Sequence, residues 1–339
     1  EEEQELFRST FKQFVEKEMV PFNETWEKNG IVDRELFEKA GENGFLGIDL
    51  PQKYGGGGIN DYRFNQIMGE EFDLAGVATA GSGIGLHNDI CIPYFKEYCN
   101  EEQKQRWMPG ITKGSLITSI AMSEPGTGSD LASISTTAIK DGESYVLNGA
   151  KTFISNGINS DLVIVAAKTQ PDSKHRGISL LIVERGMEGF ERGRNLKKAG
   201  RHSQDTAELF FSDVRIPAEN LLAEENKGFY YMMINLPQER LNIAISAVAG
   251  TQYAFDLTLE YVKERKAFGK PIGSFQNSRF KMAEIATELE FAWAFIDKCS
   301  LALTRGELTA EEAAMAKWWT TELQKRAIDQ CLQLHGGYG

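Results

Sequence analysis

Lys140-Asp-Gly-Glu-Ser-Tyr-Val-Leu-Asn-Gly-Ala-Lys-Thr-Phe-Ile-Ser-Asn-Gly157 is the stretch on which the fold turns. Short β-branched and aromatic runs alternate here with Asp141-Gly142, Asn148-Gly149 and Asn156-Gly157. Such pairs between apolar runs are the strongest local hairpin signal. Tyr145-Val-Leu and Thr152-Phe-Ile therefore read as strands. Leu162-Val-Ile-Val, Ile178-Ser-Leu-Leu-Ile-Val and Glu208-Leu-Phe-Phe read the same way. No helix-length pattern separates them, so the expected sheet is antiparallel. This texture holds from about residue 119 to 223.

Both flanks read as helix. Leu6, Phe7, Phe11, Phe14 and Val15 recur at helical spacing. Asp33 is placed to cap a helix that the glycines at 41 and 44 end. Asn60 or Asp61 can cap another running to about Leu74, and Asn100 begins one ending near Pro109-Gly110. After residue 226, Pro237 fits the first turn of a helix reaching about Lys266. Asn277 to Arg305 gives the next, with Phe280, Ala283, Leu289, Ala292, Ile296 and Leu303 on one side. Thr309 with Glu312 matches a capping box for a third, ending near Gly336. The expected architecture is mainly α with a central antiparallel β domain. Its parts are an N-terminal helical domain (1–118), a β-barrel or sandwich (119–223) and a C-terminal helical bundle (224–339).

The bulk numbers narrow the function. The 339 residues are 41% hydrophobic and 25% charged, as in an ordinary globular chain. The net charge of −12 argues against nucleic acid as a partner, because phosphate backbones need a basic surface. A local Arg or Lys cluster can still hold an anionic ligand. The longest uncharged stretches, Leu74 to Asn88 and Leu241 to Phe255, are rich in Gly, Ala and Ser and fall short of the ~20 apolar residues of a membrane span. The cysteines at 91, 99, 299 and 331 have no CxxC spacing and read as buried reduced thiols. The chain opens on Glu1 without Met and stops just after a Gly-Gly pair. It reads as trimmed at both ends, with no signal or transit segment visible.

Several chemistries lose support. Gly81-Ser-Gly83-Ile-Gly85 has Leu86 where a dinucleotide fingerprint needs its third glycine. Walker A, HExxH and GxSxG motifs are missing. The histidines at 87, 175, 202 and 335 share no metal-ligand spacing and read as structural or surface groups.

Ala121-Met-Ser-Glu-Pro-Gly-Thr-Gly-Ser-Asp130 combines two glycines with three hydroxyl residues. Such a loop lets backbone approach a planar polar ligand and offers it hydrogen-bond donors. By itself it is equally a Gly/Pro turn opening the β domain. It resembles, however, the AMTEPGxGSD signature of the acyl-CoA dehydrogenase flavoproteins. Further matches follow in order: Asn148-Gly-Ala-Lys-Thr-Phe-Ile-Ser-Asn-Gly157, Gln204-Asp-Thr-Ala-Glu-Leu-Phe-Phe211, Asn226-Lys-Gly-Phe-Tyr230, Glu264-Arg-Lys-Ala-Phe-Gly269, Phe275-Gln276 and Gln333-Leu-His-Gly-Gly337. The resemblance covers essentially the whole chain and implies that family's fold, which ends in a four-helix bundle.

The resemblance implies FAD bound without a nucleotide-binding sheet. Ile120 to Ser129, with Ile120, Met122, Ser123, Gly128 and Ser129 as contacts, resemble the loop lining the flavin ring. Phe153, Ile154 and Ser155 resemble the strand beside it. Arg265 and Gln276 resemble contacts to the diphosphate and adenosine half, with Gln333, Gly336 and Gly337 as the adjoining turn. A guanidinium suits a pyrophosphate, although an Arg at a helix C-terminus is also a plain dipole partner. In the family these last contacts come from a neighbouring subunit, which implies a homodimer or homotetramer with shared sites.

The implied reaction removes two hydrogens from the Cα–Cβ bond of an acyl-CoA. In many family members the base is a Glu near the end of the sequence, in a segment this chain lacks. Others place it on the long helix after the β domain. Leu236-Pro-Gln-Glu-Arg-Leu241 matches that placement and makes Glu239 the expected base, as in the long-chain and isovaleryl branches. The long-chain branch matches more closely. Placed in a first helical turn, Glu239 is also a simple dipole partner: the helix end lowers its pKa while burial beside substrate raises it. Ser129, His175, Arg176, Tyr230 and Arg240 fall where the family contacts acyl-CoA. Electron-transferring flavoprotein is the implied acceptor. The location implied is the mitochondrial matrix in a eukaryote or the cytoplasm in a bacterium. The alternatives are a branched- or short-chain dehydrogenase, an acyl-CoA oxidase, a reduced-flavin monooxygenase and a non-catalytic flavoprotein scaffold.

Overall fold

The runs Leu162-Val-Ile-Val-Ala-Ala and Ile178-Ser-Leu-Leu-Ile-Val form strands buried on both faces, which is why they are continuously apolar. In the computed structural model, which describes residues 2–339, they belong to one sheet of seven strands. These are β1 (Thr118–Ala121), β2 (Thr137–Asp141), β3 (Ser144–Ser155), β4 (Leu162–Lys168), β5 (Ile178–Glu184), β6 (Phe190–Asn195) and β7 (Thr206–Pro217). Leu162, Ile164, Ala166, Ile178, Leu180 and Ile182 point into one core. Val163, Val165, Ala167, Leu181 and Val183 join Tyr145, Leu147, Leu209 and Phe211 in another. Each such burial contributes about 1.5–3 kcal/mol.

The sheet order is β1-β4-β2-β3-β7-β6, with β5 on β4. The expected all-antiparallel sheet is corrected here. β1 pairs parallel with β4, Thr118 opposite Leu162, and β2 meets β4 in parallel at Thr137 and Lys168. These strands are not consecutive. The β2–β3 hairpin lies between β1 and β4 and carries the chain back, so no crossover helix is needed. Asp141-Gly142 does open that hairpin. Asn148-Gly149 does not make a turn. It lies opposite a bulge of β7, where Asn148 alone faces Ser212 and Asp213; Gly149 adopts φ 147° and a Cβ there would stand 2.5 Å from Thr136 Oγ1.

The helices are α1 (Glu2–Glu18), α2 (Asn23–Asn29), α3 (Glu35–Glu42), α4 (Arg63–Leu74), α5 (Ala78–Gly85), α6 (Ile92–Tyr98), α7 (Glu101–Thr112), α8 (Gly228–Glu264), α9 (Gln276–Thr304) and α10 (Ala310–His335). Asn100 with Gln103 and Thr309 with Glu312 form the capping boxes of α7 and α10. Asp61 accepts the Arg63 N–H at the start of α4. Asp33 caps nothing: its carboxylate accepts from the Trp26 indole, and α3 begins without a side-chain cap. α7 continues through Pro109 to Thr112 rather than stopping there. α8 begins nine residues before Pro237, which is interior and leaves the Met233 carbonyl without its helical N–H partner. No described helix is long and apolar enough to cross a membrane.

Contacts divide the chain into two units. One comprises the residues up to Val20, Asp61–Ala78 and Pro237–Gly339. Its core takes Leu241, Ile245 and Val248 from α8, Ile285, Leu289 and Ile296 from α9, and Leu323 and Ala327 from α10. The buried stripe of α9 is Met282, Ile285, Leu289, Ala292, Ile296 and Cys299. Phe280 and Ala283, expected on it, are exposed. Leu6 is likewise exposed, whereas Phe11, Phe14 and Val15 are buried. Arg8 of α1 bonds Glu70 and Glu71 of α4 at 2.5 and 2.6 Å.

The other unit, Pro21–Asn60 with Thr79–Leu236, holds the sheet. A π-helical turn, Leu86–Cys91, buries His87 completely. Nε2 donates to the Ile111 carbonyl (3.1 Å) and Nδ1 accepts the Thr118 N–H (3.2 Å), so the neutral ring is satisfied on both sides. Burial drives its pKa down to about 4. Between pH 6.5 and 4 the unfolded chain then binds the proton that the folded one refuses, so stability falls as pH falls through that window. The expected loss is ~3 kcal/mol. Denaturant midpoints at pH 7 and pH 4.5 should diverge less in His87→Gln than in the parent; an equal loss in both would contradict this.

Candidate active site

In the sheet-bearing unit, β1 delivers Ile120, half-buried, and then Met122 and Ser123. Glu124 and Thr127 exchange backbone hydrogen bonds at 2.8 and 3.0 Å, closing a tight turn over Pro125-Gly126. Beyond it Gly128 and Ser129 are exposed, and a Cβ built at Gly126 or Gly128 would meet open space. Ser133 Oγ donates to Asp130 at 2.5 Å and ends the loop.

β3 runs beside this loop. The Thr152 N–H donates to the Ser123 carbonyl at 3.0 Å. At Thr152-Phe153 two residues face one residue of β7, a bulge that turns Phe153 to φ 59°. Phe153 is 71% exposed. A non-glycine side chain in the left-handed region costs ~1 kcal/mol or more and is worth explaining by function. Ile154 points into the sheet core, so only its backbone is left for a ligand. Ser155 is half-buried, its carbonyl accepting from Ser119 Oγ at 2.8 Å. Ile120–Ser129 and Phe153–Ser155 are thus brought together.

A second cluster lies in the same unit. The turn Pro171–Gly177 packs against Leu131–Ser133, just past the loop. It presents Arg176, exposed, and His175, whose ring is 5.3 Å from Phe229 and 6.3 Å from Tyr230. Lys227 Nζ lies 5.7 Å over the Tyr230 ring. His175, Arg176 and Tyr230 therefore form one basic, aromatic rim.

The remaining expected residues belong to the helical unit. Glu239 and Arg240 are half-buried in α8. Glu239 is eleven residues past the helix start, not in a first turn, so the dipole that fades within one turn does not act on it. Arg265 directly follows α8, and its guanidinium lies 5.9 Å over the Tyr338 ring. It makes no ion pair among the described residues. Gln333, Gly336 and Gly337 are exposed beside Tyr338, and a Cβ at either glycine would meet open space. Arg265 and this turn form one exposed patch. Gln276, also exposed, opens α9.

The sequence reading assigned no role to Glu124 or Lys151. Lys151 is fully buried, with Nζ 2.9 Å from both Glu124 Oε1 and the Met122 carbonyl. Burial lowers the Lys151 pKa to about 8, with Glu124 opposing. Burial would raise Glu124, but hydrogen bonds from Thr136 and Ser135 and the Lys151 charge hold it at about 2. No local signal marked Lys151, because β3 also carries Ser144, Asn148, Thr152 and Ser155.

Comparison with known proteins extends this geometry. Family models for acyl-CoA dehydrogenase match in three parts: the N-terminal domain over residues 1–115, the middle domain over 119–214 and the C-terminal domain over 226–339. A long-chain specific acyl-CoA dehydrogenase, mitochondrial, from Sus scrofa is 47% identical over 99% of this chain and 78% of its own length. An isovaleryl-CoA dehydrogenase, mitochondrial, from Pongo abelii is 36% identical over 100% of this chain and 80% of its own. A crystal structure of an acyl-CoA dehydrogenase from Geobacillus kaustophilus superposes with a TM-score of 0.97 at 51% identity, covering 100% of this chain and 89% of that one. The chain belongs to the acyl-CoA dehydrogenase family of FAD-dependent oxidoreductases.

Proposed function

We propose that the protein desaturates long-chain fatty acyl-CoA thioesters at Cα–Cβ, as a step of fatty acid β-oxidation. The observation that carries this reading is Leu236-Pro-Gln-Glu-Arg-Leu241, a carboxylate on the long helix, in a chain 47% identical to a long-chain relative. The segments 1–118, 119–223 and 224–339 are taken as its three domains, in line with where the family models match.

The residues present fit FAD. Ile120, Met122, Ser123, Gly128 and Ser129 offer backbone and hydroxyl donors on an uncrowded loop, and Phe153, Ile154 and Ser155 offer an exposed ring and backbone polar groups. Arg265, which makes no ion pair among the described residues, supplies a cation for a diphosphate, beside Gln333, Gly336 and Gly337, with Gln276 for the adenosine half. FAD when bound supplies the acceptor for the β-hydride. Glu239 takes the α-proton. His175 and Arg176 meet the anionic CoA moiety, Tyr230 packs on it, and Ser129 and Arg240 complete the substrate contacts. Hydrogen bonds to the thioester oxygen stabilise the enolate-like charge as the proton leaves.

Electrons pass to an electron-transferring flavoprotein, and the working form is a homo-oligomer. Its location follows the host: matrix of the mitochondrion or bacterial cytoplasm. The isovaleryl branch is the second reading, because it shares the helix-borne base and a 36% identical relative carries that name. Turnover with straight acyl-CoAs of graded length and with isovaleryl-CoA decides between them. We expect kcat/KM to peak on long straight chains, with no oxygen consumed. A peak on isovaleryl-CoA would overturn the chain-length assignment, and rapid oxygen uptake would reveal an oxidase.

A further inference from the structure

We infer that the buried Glu124–Lys151 pair is a positioning latch that fixes the Met122–Ser129 loop in register with the exposed Phe153 ring; this rests on the proposed flavin site. The contacts are consecutive. Lys151 Nζ holds the Met122 carbonyl (2.9 Å), Thr152 N–H holds the Ser123 carbonyl (3.0 Å), and Lys151 Nζ also holds Glu124 Oε1 (2.9 Å). The next residue, Phe153, takes the left-handed conformation that turns its ring outward. On its far side Glu124 is gripped again. Oε2 accepts from Ser135 N–H (2.6 Å) and Ser135 Oγ (2.7 Å), and Oε1 from Thr136 N–H (3.0 Å).

Besides each other and the Ser135 hydroxyl, the pair's polar atoms bond the Met122 carbonyl and the Ser135 and Thr136 N–H groups. An ion pair with both members buried is seldom the most stabilising choice, since apolar residues of similar volume often do as well. What it supplies is a single directional arrangement. Two residues on β3 thereby set the position of three on the loop, and Glu124 and Lys151 need not touch any ligand themselves. Their part is positioning, not chemistry.

The test uses the FAD-loaded full chain with three variants. Lys151→Met removes the latch and Lys151→Arg keeps the charge. Val214→Ala, in the same core but remote from the loop, controls for lost stability. In Lys151→Met we expect a shifted visible flavin spectrum, FAD affinity at least ~10-fold weaker, and kcat at least ~10-fold lower with KM within ~3-fold, because small misplacement of a reacting group is that costly. Lys151→Arg should recover part of each. Val214→Ala should lower the melting temperature and change neither spectrum nor FAD affinity. Lys151→Met behaving like Val214→Ala would overturn the latch. Should Lys151→Met not fold, Ser135→Ala decides in its place: a shifted flavin spectrum supports the latch and an unchanged one overturns it. A parent protein that binds no FAD would instead refute the flavin site itself.

Discussion

Glu239→Gln is expected to keep FAD and acyl-CoA binding and to lower turnover by at least ~100-fold. The amide has the shape of the carboxylate but cannot accept the α-proton. The residue lies well inside α8, away from the helix end, and substrate that excludes water favours proton transfer to a carboxylate beside it. Two measurements separate loss of the base from loss of structure. Substrate binding should be unchanged by equilibrium titration, and exchange of the α-hydrogen with deuterated solvent should collapse along with turnover. Near-normal turnover would reject Glu239 as the base.

Asp161→Ala is expected to destabilise the sheet-bearing unit by about 3 kcal/mol. Asp161 is buried at the head of β4, and its carboxylate accepts from Ile117 N–H (2.8 Å), Arg34 Nη2 (2.7 Å) and Arg185 Nε (2.9 Å). Its backbone N–H returns a bond to the Ile117 carbonyl at 2.7 Å. The side chain therefore joins the start of β1 to β4, the parallel pair that leads into the loop. Removing it strands a buried N–H and takes the carboxylate from two guanidiniums, which are partly solvated and keep backbone carbonyl partners, and this holds the cost below that of a fully buried charge. Asp161→Asn, which still accepts the Ile117 N–H, should lose roughly half as much. Thermal unfolding of the three proteins checks the order; an alanine variant as stable as the parent would show that the pairing carries no weight.

What was legible in the sequence was local chemistry. The box at Thr309 was readable because Glu312 sits three residues on, and Asn100 was readable as a helix start, although its box with Gln103 was not singled out. β4 and β5 were readable because burial on two faces demands an unbroken apolar run. β1, β2 and β6 were not singled out. Thr118-Ser-Ile-Ala is short and mixed, and Phe190-Glu-Arg-Gly-Arg-Asn is mostly polar, so neither alternates. Pairing direction was misread because it depends on which strands become neighbours, and no single strand encodes that. Asn148-Gly149 carries a hairpin signature yet lies opposite a bulge of β7, where Gly149 is required by the approach of Thr136. Pro237 is a good first-turn residue, but Gly228 to Leu236 are helical too and nothing local forbade that.

The candidate site divides in the same way. Its loop and the Leu236–Leu241 segment stood out as motifs. The outward turn of Phe153 did not, because a left-handed φ at a bulge follows from register with β7. The role of Lys151 was equally hidden, since only the folded strand shows that its ammonium ends on Met122 and Glu124.

The most direct test of the central claim is an oxygen-free titration of the FAD-loaded protein with a long-chain acyl-CoA, followed by visible absorbance. Desaturation by this site predicts that the flavin band bleaches with about one equivalent of substrate per bound FAD and that the 2,3-enoyl product is recovered. Acyl-CoA that binds while the band keeps its full intensity would contradict it.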